Sequence, residues 1–294
     1  MIGYRVSLPD LEREIESESP GWLDETRRRT DEFRRIGRFQ EEASIWSRAK
    51  PVYTRLQGDC KCVYCERKLE PEAYGKGEQD VEHFRPKRSV KRWRAPRALS
   101  RAGIVFAAVP PGGGGYHLLA YHPFNYAAAC IPCNRALKRD YFPVAAAYDL
   151  ANEDPVVLAA ERPFLIYPIG DFDARPEDLI EFHGLSPRPS MAAGHDRERA
   201  LVTIEFFKLD DLKRKNLFRE RAVIIVALYP QLEKLSGPAS AAEKNKAEDV
   251  VRGFTSPKAP HTNCAASFVR LFLSDPAEAR EFFERACDLV VSMS

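Results

Sequence analysis

The sequence predicts an α+β protein, mainly helical, with a small cysteine-rich centre, and three observations carry that reading. Apolar residues recur at helical spacing near both ends of the 294-residue chain. Between them, short apolar runs broken by Pro, Gly and Asp read as strands and turns. Four of the seven cysteines fall as two Cys-x2-Cys pairs, Cys62/Cys65 and Cys130/Cys133, within one stretch. The chain divides on these signals into an N-terminal helical segment (1–57), a cysteine-containing core (58–145) and a region that is mixed and then helical (146–294).

In the first segment Leu23, Phe33, Ile36, Phe39, Ile45, Trp46, Val52 and Leu56 mark the helical spacing. Pro20 and Pro51 cut it into two or three helices, because proline removes a backbone donor and clashes inside a helix. The triplet Arg27–Arg28–Arg29 reads as a solvated helix face. In the core, Gly112–Gly115 reads as a flexible tether; the Lys-Ser/Thr that completes a phosphate-cradling loop is missing. After Val144 the stretch FLIYPIGDF suggests extended segments. A helix, broken once, is expected from Asp196 to Leu228, with Ile204, Phe207, Leu209, Leu212, Leu217, Val223 and Ile224 as its apolar positions. The last helix has Asp275 to cap it and Pro276 at its first position. Phe282, Phe283, Cys287, Val290 and Val291 are its expected inner face, and Cys264 and Cys287 read as small buried hydrophobes.

Composition excludes little: 44% hydrophobic and 30% charged residues are ordinary for a globular protein. No run approaches the length of a membrane span, and MIGYRVSLPDLEREIE lacks the pattern of a signal peptide. No membrane role and a cytoplasmic location are therefore expected. Net charge is only +2, but its distribution is uneven. Arg85, Lys87, Arg88, Lys91, Arg92, Arg94, Arg97 and Arg101 follow one another with no acidic residue between them. Such a run suits contact with phosphates.

Two Cys-x2-Cys pairs point to metal rather than disulfides, since each turn offers two thiolates at the bite that tetrahedral zinc needs. Cys62, Cys65, Cys130 and Cys133 are the expected ligands of a structural Zn²⁺. Cys60 stands two residues from Cys62, the wrong spacing, and is left out. Four thiolates would leave no open position for water, so this centre is a scaffold. Beside it stands DVEHF, which alternates as a strand does and puts Asp80, Glu82 and His83 within four residues. Carboxylates suit a hard cation such as Mg²⁺ or Mn²⁺, and an imidazole suits a base near neutral pH.

The order KCVYCE, VEHFRPK and YHLLAYHPFNYAAACIPCNRALKRDYFP resembles the HNH endonucleases, with their ββα-metal core. It looks closest to the HNH proteins associated with retrons and with Septu-type antiphage systems. The resemblance is strongest over residues 46 to 145. It implies His83 as general base, Glu82 and Asn134 as ligands of a catalytic Mg²⁺ or Mn²⁺, and Asn125 as a brace that orients His83. Asp80 is the alternative ligand, because in a regular strand Asp80 and Glu82 share one face while His83 points to the other. Arg85, Lys87, Arg88 and Lys138 are expected to grip phosphates. His117 and His122 are expected to be ordinary turn or strand residues. The resemblance implies a nucleic-acid substrate, DNA first with tRNA or other RNA open, and an ATPase partner. The alternative is a zinc-ribbon module that binds nucleic acid or a partner without catalysis.

Overall fold

The computed structural model describes residues 1–41, 43–75 and 77–292. Three helices open the chain: α1 (Leu8–Glu18), α2 (Trp22–Ile36) and α3 (Lys50–Leu56). Ser7 caps α1 by accepting the Asp10 N–H at 3.2 Å. Pro20 separates α1 from α2, as expected, whereas Pro51 sits in the first turn of α3 and starts that helix rather than ending one. Arg27 and Arg28 are exposed, but Arg29 is drawn in toward Glu25, Glu41 and the Ala43 carbonyl.

The centre is built on two short strands far apart in the chain. β1 (Gln79–His83) pairs antiparallel with β2 (Tyr126–Cys130), placing Gln79 opposite Cys130 and His83 opposite Tyr126. A helix wound wider than an α-helix, Pro132–Lys138, follows β2 directly. The β2 strand is buried along its whole length, and its three central alanines allow close approach. Gln57, buried at the end of α3, accepts the Ala128 N–H and donates back to the Ala128 carbonyl, so the sheet edge is satisfied by a side chain.

Gly112–Gly115 is more than a tether. A Cβ on Gly115 would lie 2.6 Å from the backbone of Arg88 and Ser89. The Val90 N–H bonds to the Gly114 carbonyl and the Tyr116 N–H to the Pro86 carbonyl, both at 2.9 Å. The glycine run is therefore the clasp that holds the basic segment in place.

A hairpin, β3 (Ile180–His183) and β4 (Ser186–Pro189), leads into five helices: α4 (His195–Phe206), α5 (Lys215–Ser236), α6 (Ala241–Thr255), α7 (Thr262–Ser274) and α8 (Pro276–Ser292). The break expected within 196–228 falls between α4 and α5. Leu212 lies in that break and is 75% exposed, and Val223 faces outward from α5, so neither is a core position. Asp275 caps α8 through the Glu278 N–H at 2.9 Å. Its buried face centres on Ala279 and Ala286, with Phe282, Phe283 and Val290 packed alongside. Val291, in the last turn, is exposed, and Cys287 is only half-buried while Cys264 is fully buried.

Apolar packing crosses the three segments read from the sequence. One cluster runs from Met1 to Leu217, uniting the first helices with the centre; a second, from Ala222 to Ala286, belongs to the later helices. Lys61 joins the two halves. Its fully buried ammonium donates to the carbonyls of Pro257 and Ala259 and to the Thr262 hydroxyl at 2.8–3.0 Å.

Two glycines should respond in opposite directions. Gly115→Ala forces a methyl into backbone and is expected to lower stability by about 2 kcal/mol. Gly253→Ala, within α6 and with nothing in reach of the new Cβ, is expected to raise it by about 0.5–1 kcal/mol. Urea denaturation of both variants checks the pair.

Candidate active site and metal centre

The four cysteine sulfurs lie within 4.8 Å of one another and all four residues are buried. The first pair sits in a tight turn: the Cys62 N–H bonds to the Arg67 carbonyl, the Glu66 N–H to the Cys62 carbonyl, and Glu66 takes a positive φ of 60°. The turn docks on β2 through the Val63 N–H and the Ala128 carbonyl at 3.0 Å. The second pair comes from the end of β2 and the start of the wide helix. Zn–S bonds near 2.3 Å set the sulfur–sulfur edge of a tetrahedron at about 3.8 Å, and Cys65 Sγ is 3.8 Å from Cys130 Sγ. The Cys130 N–H points at Cys62 Sγ (3.3 Å) and Arg214 Nη2 at Cys133 Sγ (3.7 Å), contacts that suit thiolates sharing a cation. The donor set fits structural zinc. Cys60 stands apart from the cluster and meets Gln79 Nε2 instead.

The wide helix that carries Cys133 also faces the carboxylates of β1. Residues two apart on a strand and four apart on a helix advance by similar distances, so two rungs form between them. On the first, Asn134 Nδ2 donates to Asp80 Oδ2 at 3.2 Å, and Arg135 grips Asp80 with two bonds of 2.6 and 2.8 Å. On the second, Lys138 Nζ lies 3.2 Å from Glu82 Oε1. Glu82 Oε1 is buried, with the Lys138 ammonium as its close partner. Burial, opposed by Lys138, pushes the Glu82 carboxyl up to about 7. Asp80, Glu82 and Asn134 line one cleft and are the donor types a hard divalent cation takes, with Arg135 and Lys138 now balancing the two carboxylates.

His83 ends β1 and points to the other face, where its ring stands edge-on between Trp46 and Tyr126 at centroid distances of 5.1 and 5.0 Å. Its Nε2 lies 3.2 Å from the Ala120 carbonyl and its Nδ1 3.3 Å from Lys87 Nζ. A carbonyl can only accept, so Nε2 carries the proton and Nδ1 keeps its lone pair. Burial, and then the Lys87 charge, hold the imidazole well below its ordinary pKa. Being the last residue of the strand, His83 reaches the same cleft as the carboxylates despite facing the other way. That cleft, of about 820 Å³, is lined by Asp80, Glu82, His83 and Asn134 together with Lys87, Arg88 and Trp46.

Asn125 is buried between these parts. Its Oδ1 accepts the Arg85 N–H at 2.7 Å, and its Nδ2 donates to the carbonyls of Arg85 and Leu119. It thereby ties the chain just past His83 to the turn that precedes β2. His122 shapes that turn, its Nδ1 accepting the Phe124 N–H at 3.1 Å, and His117 sits in a neighbouring turn.

Two expected phosphate contacts are corrected. Arg85 is 4% exposed; its guanidinium pairs with Glu161, donates to the Leu158 carbonyl and lies over the Tyr116 and Phe142 rings. Lys138 is fully buried beneath Glu82. Both charges are internal struts, because each has a buried carboxylate to neutralise. Lys87 and Arg88 do line the cleft. Sequence reading missed Trp46, whose face holds Lys87 Nζ at 4.0 Å, and Arg135. It also missed the Ala120 carbonyl, which no residue type announces. Arg135 could have been found from its place directly after Asn134.

Purified chain should contain about one zinc per chain by elemental analysis, and Cys133→Ser should lose that metal together with cooperative unfolding. Acid sensitivity has a traceable source in His122, whose imidazole burial pushes down to about 4. Below its ordinary pKa of about 6.5 the unfolded chain takes up the proton first, so stability falls as pH drops from there toward 4. His122→Asn keeps an acceptor that does not titrate. Relative to it, the parent chain should lose about 2 kcal/mol between pH 7 and 4.5, read by urea denaturation at both values.

Among known proteins, the chain is similar to the Septu protein PtuB of Bacillus mycoides (strain KBAB4), with 26% identity over 220 residues. The matched stretch covers 75% of this chain and 65% of the length of that relative. No protein-family profile matches the chain, and no solved structure matches it.

Proposed function

We propose that this chain is a metal-dependent endonuclease of the HNH type that hydrolyses nucleic-acid phosphodiester bonds, serving as the effector of a Septu-type antiphage system. The observation that carries the reading is one cleft that joins an imidazole, unprotonated at an Nδ1 that meets the Lys87 ammonium, to a set of oxygen donors and to cationic walls. The strand–strand–helix arrangement around Asp80, Glu82, His83 and Asn134 supports a ββα-metal core. Similarity to a protein named for Septu supports the defence role.

In the proposed reaction Lys87 turns from His83 Nδ1 to a substrate phosphate, and Nδ1 takes a proton from the water that attacks phosphorus in line with the departing 3′ oxygen. The Ala120 carbonyl holds the ring in the required tautomer and disperses charge as Nδ1 gains its proton. Glu82 and Asn134, with Asp80 as the alternative, would hold Mg²⁺ or Mn²⁺, which when bound neutralises charge on the scissile phosphate and the leaving oxygen. Asn125 positions His83 through the backbone of residue 85. Lys87 and Arg88 hold flanking phosphates. Products would carry 5′-phosphate ends. DNA is the first expected substrate, with tRNA or other RNA as the second, and an ATPase subunit is the expected partner.

A second reading, binding of nucleic acid or a partner without catalysis, has one observation in its favour. The Lys138 ammonium stands beside Glu82, where a divalent cation would compete with it. Incubation with plasmid, single-stranded DNA and tRNA, with Mg²⁺ or Mn²⁺ and with the metal withheld, separates the two. The nuclease reading expects metal-dependent cleavage that His83→Ala reduces by at least about 100-fold while binding persists. Absence of cleavage by the parent chain, alone and with a candidate ATPase, would establish the second reading.

A further inference from the structure

We infer that the groove running along the basic segment beside the candidate active site seats an unpaired nucleic-acid strand, with Trp93 as a stacking platform. The inference deepens the proposed function by naming the form of substrate, and it rests on that reading only for the link to cleavage.

The groove encloses about 1120 Å³. Arg92 and Arg94 supply its charge and are exposed, while Lys91, exposed as well, is paired with Asp140. No carboxylate stands among the described residues that line it. Its floor is apolar, formed by the extended segment that includes Val105, itself 77% exposed. Trp93, half-buried, lines the groove beside Phe106, with ring centroids 5.8 Å apart, and is packed against Phe206 at 4.8 Å, which fixes its ring.

The exposed arginines of the rim, Arg92 and Arg94, select a polyanion, and apolar and aromatic lining selects flat unsaturated rings. Nucleic acid offers both, but in a duplex the faces of the bases are covered by their neighbours. Only an unpaired strand can present phosphate to Arg92 and Arg94 and a base to Trp93 together. The groove also borders the cleft that holds His83, since Lys91 lines both. Lys91 is pinned at that junction: its backbone N–H bonds to the Asp140 carbonyl at 2.9 Å and its ammonium to the Asp140 carboxylate at 2.7 Å. A strand lying in the groove would therefore pass Lys91 at the edge of the cleft.

Fluorescence anisotropy with zinc-loaded full-length chain and no added Mg²⁺ tests the inference. The probes are labelled 16-nucleotide single strands of DNA and of RNA, and a blunt DNA duplex of equal length. The single strands should bind about 10-fold tighter than the duplex. Trp93→Leu should weaken single-strand binding about 10-fold, and Trp93→Phe should restore most of it. Arg92→Glu with Arg94→Glu, both on the surface and safe for folding, should abolish single-strand binding and flatten its salt dependence. Preference for DNA or for RNA identifies the source of the strand, and either supports the groove. Equal or tighter binding of duplex, or no effect of the surface double variant, overturns it. The two proposals fail separately. Strand binding through the groove without any cleavage would sink the nuclease and leave the groove standing. Cleavage untouched by the groove variants would do the reverse.

Discussion

Convergence of four sulfurs is the constraint on which the centre depends. Residues 62–65 and 130–133 are distant in sequence, and the two-stranded sheet between them is too short to hold itself in water. The sulfur cluster clamps the tight turn to the end of β2, and the same helix that contributes Cys133 presents Asn134 and Lys138 to β1. Zinc bound by such a set is worth about 10–16 kcal/mol at neutral pH, as much as the whole stability of an ordinary domain. Positions of Asp80, Glu82 and Asn134 are consequences of that clamp, because each rung between strand and helix counts from Cys130 and Cys133.

Around the clamp the protein hides an unusual amount of charge. Lys61, Arg85 and Lys138 are all buried, and each is met by a carboxylate: Glu66, Glu161 and Glu82 respectively. Breaking one member of such a pair strands the other in a poor solvent, which makes the arrangement specific even where it adds little net stability. The Glu82–Lys138 pair differs from the others because its carboxylate also belongs to the candidate site. Its ammonium balances the charge that a divalent cation would otherwise balance, so the site can stay folded without that cation.

What the sequence disclosed follows from how local its signals are. Cys-x2-Cys spacing fixes a bite, so the cage and the exclusion of Cys60 were legible. Pro276 with Asp275 fixes a helix start, so the last helix was legible too. Asp80, Glu82 and His83 could be gathered because they are neighbours, although their conflict of faces resolves only where the strand stops and the cleft wraps its end. Burial of Arg85 and Lys138 could not be read, since their carboxylate partners stand 76 and 56 residues away. In one dimension an arginine within a basic run looks like surface. The role of Gly115 was hidden for a related reason: a missing Cβ signals close approach only once the other backbone is known. Leu212, Val223 and Val291 carried the right spacing but fell in a break, on an outer face and in a last turn.

Lys61 has a wider meaning. Its buried ammonium ends on two carbonyls and a hydroxyl some two hundred positions further along, at the start of α7. A thiolate-bearing loop of this kind is often thought of as a portable cassette, to be cut out and grafted elsewhere. Here the loop is stitched to the far end of the polypeptide by a charge that water would have to replace. Excising residues 58–145 would therefore yield a fragment whose Lys61 ammonium keeps Glu66 but loses its two carbonyls and hydroxyl, and any attempt to borrow this centre for another scaffold must bring the 257–262 segment with it.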